Sequence, residues 1–156
     1  MTTSAGLVLF RERGEDGALE VLLGHMGGPF WARKDEGAWS IPKGEHRPDE
    51  DPQAAAVREF TEELGAPPPP GPLVPLGTVR QKGGAKAVTV FALHGDFDAD
   101  DITPGTFELE WPPRSGRMRS FPEIDRAAWF APDAARRKLV GGQVEFVDRL
   151  LELIAR

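Results

Sequence analysis

Residues 44–66 read GEHRPDEDPQAAAVREFTEELGA, centred on Arg58-Glu59-Phe60-Thr61-Glu62-Glu63. Asp51 suits the N-cap of a helix, because its short carboxylate can accept from an orphan backbone N–H, and Pro52 suits the first helical position. Gly65 tolerates the left-handed conformation that stops a helix, and Pro67 to Pro70 forbid its continuation. The spacing therefore predicts a helix of about three to four turns between them. At about 100° per residue, Gln53, Val57, Phe60 and Leu64 share one face as an apolar stripe. Glu59, Glu62 and Glu63 fall on the opposite face, at i, i+3 and i+4. Such carboxylates repel one another by about 0.2–0.5 kcal/mol per pair on an open surface, and more if shielded from water. A divalent cation cancels that repulsion, and oxygen-only ligands suit Mg²⁺ or Mn²⁺. Taken alone, E-x-x-E-E more often marks a solvated acidic face. The flanking residues change that balance.

Upstream, Ser4 to Arg11 reads as a buried strand, Gly14 to Gly17 as a turn and Leu19 to Gly24 as the return strand. His25 to Gly37 is a long loop broken by Gly27, Gly28 and Pro29. Its Phe30 and Trp31 stand beside Arg33 and Lys34. They suit either a lip that stacks on a base or a loop that tucks its aromatics onto the core. His25 is not a candidate base. Ala38 to Lys43 is expected to be one short strand entering the helix segment.

Downstream, Ala66 to Pro72 is a proline-rich connector, too short for a domain linker. Leu73 to Gln81 and Ala87 to His94 read as strands, with Lys82 to Lys86 as the hairpin tip. Lys82 and Lys86 are candidate polyphosphate contacts, although exposed hairpin lysines are commonplace. The acidic loop Gly95 to Gly105 lacks the spacing of an EF-hand and reads as solvated. Phe107, Leu109 and Trp111 alternate with Glu108 and Glu110, a half-buried strand. Arg114, Arg117 and Arg119 then form the densest basic patch in the chain, a candidate anion clamp in the loop Pro112 to Arg119. Phe121 to Phe130 carries a short strand. Pro132 to Leu139 and Gly142 to Ile154 read as helices, the last with a core stripe of Val144, Val147, Leu150, Leu151 and Ile154.

The 156 residues suggest one domain spanning 1–156, with no internal repeat. A net charge of −6 and a pI near 5.1 argue against a general nucleic-acid binder. They leave room for a phosphorylated small substrate, because a metal and local basic residues can supply positive charge. The absence of cysteine excludes disulfides, zinc-thiolate sites and thiol catalysis. The N-terminus lacks the basic and apolar regions of a signal peptide, and no apolar run reaches membrane-spanning length. A cytoplasmic location is expected, without a membrane partner.

The central segment resembles the Nudix box. It has Gly44, five residues, Glu50, seven residues, Arg58-Glu59, an apolar residue, any residue, Glu62-Glu63, any residue, Gly65 and an apolar residue. Ala66 is a small version of the final aliphatic. The match covers about a seventh of the chain, and the order of strands extends the likeness more loosely to the whole. The resemblance implies an α/β fold of the Nudix α/β/α sandwich type, a mixed sheet between helices with the box as loop-helix-loop. It implies hydrolysis of a nucleoside diphosphate linked to another group, with Mg²⁺ or Mn²⁺ as cofactor and a small-molecule nucleotide or polyphosphate as partner. The alternative is a catalytically silent Nudix-fold module for nucleotide binding or regulation. Dimers are common in the family, and a homodimer stays open here.

Residue by residue, the box implies metal ligation by Glu59 and Glu63, with Glu62 as ligand or base. Arg58 is implied as a brace paired with Glu50. The main-chain carbonyl before the box glycine, here Lys43, is implied as a further ligand. Phe121 to Phe130 resembles a late family segment, E-x-x-x-x-x-W, whose acid adds a metal ligand or base. That makes Glu123 the favoured carboxylate outside the box, with Glu108 and Glu110 in reserve. Trp39-Ser40-Ile41-Pro42-Lys43-Gly44 resembles the W-x-x-P-K-G lead-in of a subgroup that includes dinucleoside polyphosphate and diphosphoinositol polyphosphate hydrolases. Trp39 and Lys43, with Arg114, Arg117 and Arg119, are the candidate substrate contacts. The chain departs from the bacterial dinucleoside polyphosphate pattern, because it has no tyrosine and Lys82 and Gly83 stand in that region. Gln81 replaces the proline of ADP-ribose members, and the coenzyme A and NADH signatures are absent.

Overall fold

The computed structural model describes residues 2–13 and 15–156, with Glu15 and Lys82 described by their backbone only. The expected turn over Gly14 to Gly17 falls partly on Gly14, outside the described residues. Any contact of the Lys82 side chain lies outside them too. In chain order the elements are β1 (Thr2–Arg11), β2 (Glu20–Met26), β3 (Trp39–Ser40), β4 (Lys43–Glu45) and α1 (Pro52–Leu64). They continue with β5 (Val74–Gln81), β6 (Lys86–His94), β7 (Thr106–Glu110), β8 (Met118–Pro122), β9 (Ile124–Phe130), α2 (Pro132–Lys138) and α3 (Val144–Ile154).

One mixed sheet runs β3-β2-β1-β6-β5, with β4 added to β1 and β9 added to β2. β1 and β6 are parallel, and the other pairings are antiparallel. β1 is the pivot, and its alternating side chains feed two cores. Ala5, Leu7 and Leu9 face α1, where they meet Ala55, Ala56, Phe60 and Leu64. Val8 faces the other way, into a cluster with Val88, Val90, Phe146, Val147 and Leu150 under α2 and α3. Burying Phe60 or Leu64 contributes about 1.5–3 kcal/mol each. The expected α/β/α sandwich is thus present.

α1 starts and stops where its caps predict. The Asp51 carboxylate accepts from Ala54 N at 3.1 Å, and Gly65 adopts φ 83° while donating to the Thr61 carbonyl. Its inward face differs from the expected stripe. Gln53 is exposed, whereas Glu59 is buried beside Ala55, Ala56, Phe60 and Leu64. The two alanines let the helix lie close to β1, which rotates Glu59 inward. Three further expectations need correction. The single strand over Ala38 to Lys43 is two short strands, broken at Ile41-Pro42, since Pro42 lacks an N–H to donate to a ladder. The basic segment is not all loop: Met118 and Arg119 open β8, which pairs with β7 in a separate two-stranded hairpin. In α3, Ile154 is exposed in the last turn, and Phe146 supplies the buried ring instead.

Candidate active site

The site forms where α1 passes beneath β4. Gly44 pairs with Ala5 on the face covered by α1. A Cβ at Gly44 would overlap the Glu59 carboxylate, within 2.6 Å of Oε1. Glycine is required there because the strand lies directly on that side chain. One turn further, Glu63 Oε2 accepts a hydrogen bond from Lys43 N at 3.2 Å. The box glycine and its helix are therefore joined by two carboxylates 15 and 19 residues downstream of it.

Arg58 organises the acids. Its Nε and Nη2 donate to the two oxygens of Glu50, each at 3.1 Å, as a bidentate pair. Its Nη1 reaches Glu59 Oε1 at 2.8 Å and Glu62 Oε1 at 3.3 Å. Glu62 is exposed, whereas Glu59 is buried. Glu123 approaches from the far side of the chain, between β8 and β9. Its N donates to the Gly105 carbonyl at 2.8 Å, and Gly105 N donates to the Glu62 carbonyl at 3.0 Å. Its own carbonyl accepts from Gly27 N at 2.9 Å. Main-chain bonds thus tie Glu123 to the C-terminal end of α1. A Cβ at Gly27 would collide with the Pro122 main chain, so this close approach also needs glycine.

The electrostatics follow from this crowding. Burial pushes the Glu63 carboxyl up to about 8, against the lowering effect of Lys43 N–H, and the charges of Glu123 and Glu59 add to the rise. Burial, then Glu62, raises Glu59, while Arg58 opposes both. The Arg58 bonds hold Glu50 below the usual carboxylate range and raise Arg58 itself. Among the described residues no ready-made cluster of three metal-ligating side chains is closed. The donor set nevertheless fits a hard divalent ion: it is all oxygen, and a dication would relieve the burial and repulsion that raise Glu59 and Glu63.

Residues 1–150 match the family model of the NUDIX domain. The protein is a Nudix family member. Its fold matches the Caenorhabditis elegans Ap4A hydrolase in a binary complex, at 21% identity and TM-score 0.63, over 99% of this chain and 98% of that one. It also matches the NUDIX domain of Shewanella oneidensis NrtR complexed with ADP ribose, at 18% identity and TM-score 0.65, over 97% and 87%. A mutT/nudix family protein of Listeria innocua matches at 19% identity and TM-score 0.63, over 99% and 94%. These likenesses carry the fold alone. No curated relative matches in sequence. The chain is thus a Nudix pyrophosphohydrolase, and Nudix enzymes generally use divalent metal ions. No helix is long and apolar enough to cross a membrane.

The remaining expected site residues of this Nudix domain lie further out. Trp39 is a correction: it is 3% exposed, set edge-on to His25 and Phe130, and its Nε1 donates to Asp35. A ring so enclosed has no face left for a ligand. Lys43 contributes its main-chain N–H to the Glu63 side, but its side chain lies beside Gly6 on the opposite face of the sheet. Arg114, Arg117 and Arg119 are exposed around the β7–β8 tip, with Arg119 over the Phe121 ring at 5.7 Å. Glu108 and Glu110 point outward on β7, and Glu110 accepts from Arg114 N. Of the two loop aromatics, Trp31 packs on the core, whereas Phe30 is 59% exposed against Trp111. His25 is fully buried between Asp125 and the Lys34 carbonyl. Sequence reading missed the main-chain clasps of Gly27 and Gly105. Their glycine content signalled only loop.

The raised Glu63 carboxyl gives a signed pH prediction. Between the unfolded value of 4.5 and the folded value of about 8, the folded state holds a proton that the unfolded state has lost. Metal-free stability should therefore fall as pH rises through that window, by at most about 1.4 kcal/mol per pH unit, and level off above it. Urea melts from pH 4.5 to 9 check this. Glu63→Gln should flatten the slope, and an unchanged slope in that variant would contradict the assignment.

Proposed function

We propose that this Nudix protein hydrolyses a pyrophosphate bond in a nucleoside diphosphate linked to another group, with Mg²⁺ or Mn²⁺, and that dinucleoside polyphosphates are its leading substrate class. The observation that carries the reaction is the seating of the Glu59 carboxylate against Gly44 and of Glu63 on Lys43 N, with Glu123 near enough for its charge to raise both. Glu59 and Glu63 are the proposed metal ligands, with the Lys43 carbonyl. When bound, the metal supplies charge neutralisation on the phosphate oxygens and a water of lowered pKa. Arg58, anchored by Glu50, fixes the directions in which Glu59 and Glu62 present their oxygens. Glu62, exposed at the rim, and Glu123, held by main-chain bonds, are the candidate bases. A base needs hydrogen-bond reach of the attacking water and a pKa compatible with neutral pH. The arginines of the β7–β8 tip are proposed to meet the outlying part of a long substrate.

The substrate class rests on the W-x-x-P-K-G segment and on the full-length likeness to an Ap4A hydrolase. The likeness to an ADP-ribose-bound domain makes ADP-ribose the competing substrate. The test is phosphate or nucleotide release across dinucleoside polyphosphates, nucleoside triphosphates, ADP-ribose, sugar nucleotides and diphosphoinositol phosphates, with each metal. Metal-dependent turnover highest on a dinucleoside polyphosphate is expected. A higher kcat/KM on ADP-ribose would overturn the substrate class, and no turnover on any of them by folded, metal-loaded protein would overturn the reaction.

A further inference from the structure

We infer that Gln143 is a positioning residue for the reaction: from the turn before α3 it fixes the main chain at Ile41 and, through it, the Lys43 carbonyl and the seat of Glu59 under Gly44. The inference rests on the hydrolase reading above and deepens it. Gln143 is 1% exposed and stands 102 residues from its partner Ile41. Its Oε1 accepts from Ile41 N at 2.8 Å, and its Nε2 donates to Ser40 Oγ at 3.0 Å. The Ser40 hydroxyl donates in turn to the Ile41 carbonyl at 2.8 Å. One buried amide thus holds Ile41 on both sides, its N–H directly and its carbonyl through Ser40.

The break between β3 and β4 creates the need for such a side chain. Ser40 pairs with Gly24 on β2, and pairing resumes on β1 at Lys43, opposite Gly6. Between them Ile41 is buried outside either strand, and Pro42 has no N–H to donate. A buried N–H without an acceptor is costly, so the gap takes its acceptor from outside the sheet. An amide suits the place because it accepts and donates at once. Gln143 is itself well anchored. Val140 N donates to the Trp39 carbonyl at 2.9 Å, and Gln81 Nε2 donates to the Gly142 carbonyl at 2.9 Å. The segment that Gln143 holds then enters the site. The Pro42 carbonyl accepts from Leu7 N at 3.1 Å, and Lys43 N donates to Glu63 Oε2 at 3.2 Å. At Gly44 there is no slack, since a Cβ there would lie 2.0 Å from Glu59 Oε2. A shift of the main chain at Ile41 therefore passes to the Lys43 carbonyl and to both carboxylates. Misplacing a reacting group by about 1 Å costs on the order of 10²-fold in rate.

The experiment compares wild type, Gln143→Leu, Gln143→Glu, Ser40→Ala and Leu150→Ala by Mn²⁺ titration, steady-state kinetics and chemical melts. Leucine keeps the bulk and removes both bonds. Glutamate keeps an oxygen opposite Ile41 N and a second one that the Ser40 hydroxyl can reach. Leu150→Ala removes a core side chain about two turns further along α3 and leaves the amide in place. Gln143→Leu should weaken Mn²⁺ binding about tenfold and lower kcat about 10- to 10²-fold, with KM for the nucleotide changed far less. Gln143→Glu should recover most of the Mn²⁺ affinity. Ser40→Ala should lose severalfold in each, and it decides the matter if Gln143→Leu does not fold. Leu150→Ala should melt earlier yet keep Mn²⁺ affinity and kcat within twofold of wild type. Mn²⁺ affinity and kcat within twofold of wild type in folded Gln143→Leu would overturn the positioning role and leave the hydrolase standing. Equal losses in Leu150→Ala would reduce the effect to stability and overturn it too. Wild type without metal-dependent turnover on any substrate would overturn the hydrolase, and the Mn²⁺ titrations would still decide what Gln143 holds in place.

Discussion

Glu63→Gln should lower kcat for metal-dependent pyrophosphate hydrolysis by about 10²- to 10⁴-fold, with little loss of fold. The amide keeps the size of the side chain, and its oxygen can still accept from Lys43 N, the bond seen at 3.2 Å. What it removes is the negative charge. In the metal-free protein that charge is unwelcome, since burial and the neighbouring Glu123 and Glu59 push the carboxyl up to about 8. Metal-free Glu63→Gln should therefore match or exceed wild-type stability above neutral pH. Lower activity with equal or greater stability is the signature of a group whose charge serves a ligand rather than the fold. Steady-state kinetics with saturating Mg²⁺, beside a chemical melt, gives both halves. A kcat within tenfold of wild type would remove Glu63 from the proposed metal site.

Gly44→Ala should lower kcat by about 10²-fold, the effect of misplacing a reacting group by roughly 1 Å. The added methyl overlaps the Glu59 carboxylate. The main chain of β4 is held by its ladder with β1, while Glu59 is held by Arg58 at 2.8 Å. The carboxylate is the more movable partner, so it swings away and takes its bond to Arg58 with it. The cost in stability should be modest, about 1–3 kcal/mol, because a side-chain terminus gives way before backbone does. Apparent affinity for Mn²⁺ should fall along with kcat. Unchanged metal affinity and kcat would show that the fit of Glu59 under Gly44 does not matter to the reaction.

The helix that carries these acids was legible because its signals are local. Asp51 and Pro52 set its start, Gly65 and the prolines its end, and each acts within a few residues through one cap or one missing N–H. The box spacing followed from the same segment, and with it the family. The pairing of Arg58 with Glu50 was also within reach, being an eight-residue contact across the helix start. Periodicity alone placed Glu59 correctly relative to Glu62 and Glu63, but it could not say which sector of the helix would face the sheet. That sector is set by Ala55 and Ala56 against β1 and by the lack of a side chain at Gly44, a contact between two elements.

Local sequence encoded most of the strands and helices, the acidic helix among them, and the chemistry that its oxygens allow, since these depend on neighbours along the chain. Packing between distant segments settled which acid is buried, that main-chain bonds tie Glu123 to the end of α1, that Trp39 belongs to the core, and that the Lys43 side chain lies across the sheet from Glu63. Each of those depends on strand register or on main-chain bonds between distant segments, such as Glu123 to Gly105 and Gly105 to Glu62. A one-residue change in register moves a side chain to the other face of a sheet. No local pattern encodes that choice; it is made by the packing of both faces at once.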